Sequence, residues 1–136
     1  MKTIYKIVII FTLTFLQSYW AMFPYRNNPD SYSMNNSYFK ETLYICLLFT
    51  ALLIPIILIT NYFTITKKYQ NIILIFLLVP EWYLINYGTY DGRVASWSSY
   101  SSEEINGVVI GHSFFPIVVF VVIFLFLYQK FFNLKK

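Results

Sequence analysis

The stretch LIFLLVPEWYLINYG, residues 74–88, decides the fold. It is apolar enough to sit in lipid, yet a proline and a carboxylate, Pro80 and Glu81, fall in its middle. A carboxylate at a helix centre costs about 2.5–3.5 kcal/mol on insertion scales. If the stretch crosses a membrane nonetheless, the chain has four crossings and both ends share one side. If it turns back, the ends part company.

The flanking charges decide between these. With four crossings, Lys2, Lys6, Lys67, Lys68, Lys130, Lys135 and Lys136 fall on one side, against Arg26, Lys40 and Arg93 on the other. Basic residues near segment ends collect on the cytoplasmic side. A turned-back third segment would put the C-terminal lysines outside, against that bias. The sequence therefore predicts an all-α integral membrane protein, a four-transmembrane-helix bundle with both termini cytoplasmic. The helices are expected at about 4–23, 43–65, 71–88 and 107–128, each near the ~20 residues that span a ~30 Å hydrocarbon core. Residues 24–42 and 89–106 become outer loops of a single membrane domain, and TKKYQN, 66–71, becomes a tight turn. The first segment follows lysines and is signal-like. Tyr19 stands where a small residue would precede a cut after Ala21, so an uncleaved anchor is expected.

Composition agrees. Hydrophobic residues make up 58% of the 136-residue chain and charged residues 12%, against roughly 45–50% and about 25% in ordinary globular proteins. A soluble fold of this size cannot hide so much apolar surface, whereas lipid removes the need. Membrane lipid is thus the expected surrounding. The net charge of +4 comes from topogenic lysines, so no nucleic-acid partner is expected. Cys46 and His112 each stand alone, which excludes a disulfide, a CxxC pair and an HExxH site within one chain. No metal or cofactor is expected.

Three groups of residues are candidates for a function. The first is an intramembrane polar layer. Glu81 lies about 10 Å inside Gly88, and His112 about 7–8 Å inside Gly107, at 1.5 Å per residue. In a hairpin of the last two helices, Glu81, His112 and Ser113 share a depth, with Pro80 and Pro116 freeing backbone carbonyls beside them. The expectation is that Glu81 and His112 approach within hydrogen-bond reach, as a structural clamp or as an ion or proton site. The second is GVVIG, 107–111, a GxxxG pattern. Gly107 and Gly111 are expected to serve packing within the bundle, with a homo-oligomer seam as the other use.

The third group is in the outer loops, rich in Tyr, Ser and Asn, the mixture that binding surfaces use for rigid area and adaptable hydrogen bonds. Trp97, Tyr100, Tyr32 and Tyr38 are the expected anchors, with Glu103 and Glu104 steering a basic partner or capping the fourth helix. The serines of 96–102 lack a GxSxG setting, and catalysis is not expected. The leading expectation is a non-enzymatic partner-binding protein of the bacterial cytoplasmic (inner) membrane, most concretely an immunity protein against a membrane-targeting toxin. The alternatives are a small proton- or ion-coupled transporter or channel subunit using Glu81 and His112, and an accessory subunit of a larger membrane complex.

Overall fold

The computed structural model describes residues 2–31, 37–62 and 67–132. It is all-helical, with α1 Lys2–Ala21, α2 Tyr38–Tyr62, α3 Lys67–Arg93 and α4 Ser102–Phe132. Single 3-10 turns, Phe23–Tyr25 and Ala95–Trp97, follow α1 and α3. All four helices are long and apolar enough to cross a membrane, with spans of 19 to 29 residues. At 1.5 Å per residue the shortest reaches about 28 Å, close to the hydrocarbon thickness.

Consecutive helices run antiparallel, so both termini lie at one end of the bundle. α1 packs against both α2 and α4, α3 packs against α4, and the α2–α3 seam is sparse. Only a minority of each span is buried, and large apolar side chains such as Leu52, Phe76, Phe114 and Phe126 face outward. That distribution suits a lipid solvent, where an outward Leu costs nothing. The inward stripes keep helical spacing: Leu74, Leu78, Trp82 and Ile85 on α3, and Val109, Ser113, Pro116, Phe120, Phe124 and Tyr128 on α4. Pro55, Pro80 and Pro116 sit inside continuous helices.

α2, α3 and α4 are longer than the hydropathy boundaries predict, and the connections after α1 and α3 correspondingly shorter, while α1 keeps its expected length and begins and ends two residues earlier. α2 begins at Tyr38 rather than near 43, α3 runs on to Arg93, and α4 starts at Ser102. The polar residues that look like loop have partners that let them stay helical. Glu41 pairs with Arg93. Ser101 and Glu104 make a reciprocal capping box: the Ser101 N–H donates to Glu104 Oε2 at 2.8 Å, and the Glu104 N–H to Ser101 Oγ at 3.3 Å. Glu103 also falls in that first turn, where an acid suits the helix dipole.

At the end that bears the termini, one side chain joins all four helices. Gln70 is buried. Its Oε1 accepts from the Lys6 ammonium of α1 at 3.3 Å and from the Tyr128 hydroxyl of α4 at 3.1 Å. Its amide donates to the Thr60 carbonyl of α2 at 2.9 Å. Lys6 also lies over the Tyr128 ring, 5.4 Å from its centroid.

Candidate functional site

The opposite end, where the two longer connections lie, is held by Arg93. Its side chain is only 2% exposed, at the last residue of α3. The guanidinium donates through Nε at 2.8 Å and through Nη2 to the same Glu41 Oε2 on α2. Nη1 donates to the carbonyls of Asn28 at 2.6 Å and Arg26 at 3.3 Å, and the cation lies 5.1 Å from the Tyr38 ring centroid. A planar fork with five donors can serve a carboxylate and two carbonyls at once, which an ammonium cannot. The segment after α1 is thereby fastened to α2 and α3. The Ser31 N–H adds a bond to the Gly92 carbonyl at 2.9 Å.

On this clamp rests a short ledge, residues 94–101. Trp97 donates its indole N–H to the Pro29 carbonyl at 3.1 Å, while half of its surface (51%) stays exposed. Tyr100 is 48% exposed. The serines around them serve helix ends: Ser96 Oγ donates to the Asp91 carbonyl at 2.8 Å, Ser98 Oγ to the Val94 carbonyl at 3.2 Å, and Ser101 caps α4. The ledge thus carries two half-exposed aromatics, of which Trp97 is bonded to Pro29, on a backbone capped by serines. Beside it Tyr25 stands edge-on to Tyr90 at 4.9 Å and to His112 at 5.3 Å between ring centroids. Burial, and then the neighbouring Tyr90 and Tyr100 phenols, hold the Tyr25 hydroxyl above the ordinary tyrosine range.

The structure divides the residues that the sequence grouped together. Trp97, Tyr100 and Glu103 are exposed at this end, and Glu104 is the α4 cap. Tyr38 is no loop anchor: it is the first residue of α2, 5% exposed, and its hydroxyl donates to the Tyr19 carbonyl at 2.9 Å. An early helix start turned it onto α1. Tyr32 lies outside the described residues.

The expected Glu81–His112 pair does not form. His112 is exposed and belongs to the Tyr25 cluster, because the inward position on that turn of α4 is its neighbour Ser113, 100° away. Ser113 accepts from the Asn86 amide at 2.9 Å, so the α3–α4 polar contact exists with a different α3 residue. Glu81 is buried at 6% exposure, and among the described residues no group hydrogen-bonds either of its oxygens. Gly107 and Gly111 do not pack within the bundle either. Both are exposed, and a Cβ built on either meets nothing within 4 Å. Trp82 is fully buried and donates to Thr14 Oγ1 at 2.8 Å.

Comparison of the chain with protein-family models, with curated proteins and with solved structures found no match. The residues that sequence reasoning missed are Arg93, Glu41, Tyr25 and Gln70. Only Arg93 and Glu41 left a signal, as opposite charges at helix ends that meet in an antiparallel bundle.

Proposed function

We infer that the chain is a non-enzymatic, multi-pass protein of a bacterial cytoplasmic membrane that binds a protein partner at its loop end. The most concrete form is an immunity protein that intercepts a membrane-attacking toxin. The observation that supports this is the ledge itself: Trp97 and Tyr100 are half exposed, the Trp97 indole is bonded to Pro29, and Ser96 and Ser98 bond backbone carbonyls beside the buried Arg93. A mere connector needs no buried guanidinium beneath it. Exposed aromatics on a fixed frame lose little freedom on binding, which is what makes Trp and Tyr frequent anchors. Glu103, exposed beside them, gives the ledge an acidic edge for a basic partner.

Binding energy in such a face concentrates in a few anchors, at ~2 kcal/mol or more each. The double change Trp97→Ala, Tyr100→Ala is therefore expected to abolish protection against the cognate toxin, or pull-down of the partner, while membrane abundance stays at the wild-type level. Protection that survives the double change at normal abundance refutes the ledge as the binding face.

The reading also requires the ledge to face outward, with both termini cytoplasmic. Reporter fusions after Lys68 and at Lys136 are expected to report the cytoplasm, and one after Ser101 the external side. A cytoplasmic signal after Ser101 overturns the orientation on which this function depends.

A further inference from the structure

Glu81 takes no part in the ledge. It is buried on α3 about one turn before Leu84 and Ile85, which share a cleft with Ile45 and Phe49 of α2. Thr50 follows Phe49 on α2, and Gln17 lies on α1. Thr14 bonds Trp82, which places that turn of α1 level with Glu81. The three helices thus converge on one layer. Within it, Glu81 Oε1 and Oε2, Thr50 Oγ1 and Gln17 Nε2 are buried, and no described protein group hydrogen-bonds them. Thr50 is 4% exposed and Gln17 is fully buried. Buried polar atoms are nearly always paired, so several orphans in one layer call for a shared ligand.

Where α2 and α3 pack sparsely, a cleft of about 380 Å³ opens between them. Asp30, Glu41 and Asp91 line its outer part, and Ile45, Phe49, Leu84, Ile85 and Gly88 its wall and floor. Phe49 adjoins Thr50, and Leu84 lies three residues from Glu81, so the floor of the cleft is about one helical turn from the carboxylate. Glu41, one of these three carboxylates, is paired with Arg93. Such a lining concentrates cations.

We propose that Glu81 and Thr50 hold a monovalent alkali cation, delivered through the acidic α2–α3 cleft. The acceptors are hard oxygens, which suit alkali and alkaline-earth ions. A lone buried carboxylate is neutralised by one positive charge, whereas a divalent ion would leave an uncompensated charge in the bundle. Gln17, whose Nε2 is also buried without a protein partner, offers a donor to water on the ion.

The test uses the full chain purified in lipid nanodiscs and compares sodium, potassium and choline chloride at equal ionic strength. Wild-type protein is expected to unfold roughly 5–10 °C higher in sodium or potassium than in choline, at salt well above the dissociation constant. Glu81→Gln is expected to unfold at one temperature in all three salts, and Thr50→Val to show a diminished shift. If Glu81→Gln does not fold, the wild-type shift and its reduction in Thr50→Val decide alone. Equal wild-type midpoints in the three salts would mean that Glu81 carries a proton and no metal ion, which overturns the proposal. A full shift in Thr50→Val or in Glu81→Gln would place the ion elsewhere, at the mouth, and overturns it too. The outcome is independent of partner binding at the ledge.

Discussion

Arg93→Met is expected to destabilise the bundle by about 3–5 kcal/mol, the range for removing one member of a buried ion pair. The loss exceeds that of an ordinary surface ion pair because the guanidinium is 2% exposed and its partner Glu41 is 11% exposed. Once it is gone, the part-buried Glu41 carboxylate and the carbonyls of Arg26 and Asn28 lose their donor. Arg93→Lys rescues only part of this, since a single ammonium cannot reach the carboxylate and both carbonyls together. The double change Arg93→Met, Glu41→Met is expected to cost less than Arg93→Met alone, because it removes the stranded charge. Denaturant unfolding in micelles, run as a double-mutant cycle, measures the coupling. Additive single-site losses would show that the pair is incidental. Since the clamp also fixes the ledge, Arg93→Met should expose the 22–31 segment to protease in otherwise folded protein.

Trp82→Ala is the second large expectation, again about 3–5 kcal/mol. Two contributions are present and their sizes differ. Trp82 is the largest side chain fully buried in the bundle, at 0% exposure, and packs in the cluster with Leu78, Ile10 and Phe124. Its indole N–H also bonds Thr14 across to α1 at 2.8 Å. Interhelical hydrogen bonds in membrane proteins average only about 0.6 kcal/mol, with a maximum near 1.7. Lipid offers no hydrophobic drive between helices, so close packing carries most of the association. Trp82→Phe, which keeps a ring and loses the donor, is therefore expected to cost less than half as much as Trp82→Ala. Equal losses in the two variants would reverse that assignment and make the Thr14 bond the main term.

The four spans were legible in the sequence because an apolar run of about 20 residues has few other uses. Their ends were not. Hydropathy stops at the first charged residue, whereas Glu41, Arg93 and Glu104 stay helical through partners that lie as far as 52 positions away. The depth reasoning for Glu81 and His112 counted along the axes and left out rotation. A buried stripe through Ile105, Val109, Ser113, Phe120 and Phe124 can be read from α4 at helical spacing, and His112 lies off it. Glu81 had no such tell, because it adjoins the Leu78–Trp82–Ile85 stripe and its inward direction depends on where α2 packs. Trp97 and Tyr100, the proposed anchors, are about half exposed, while Tyr38 is buried by a helix start that begins before the apolar run does.

Gln70 also bears on the order of events during synthesis. Its amide bond to Thr60 needs only α2 and α3, which emerge together as a hairpin. The Tyr128 hydroxyl arrives 58 residues later, with the last turns of α4. Until then the Gln70 carbonyl has only the Lys6 ammonium of α1 within the layer to meet. A nascent chain stalled before Tyr128 therefore leaves Gln70 with two of its three hydrogen bonds. Tyr128 closes a single knot of four groups, one from each helix.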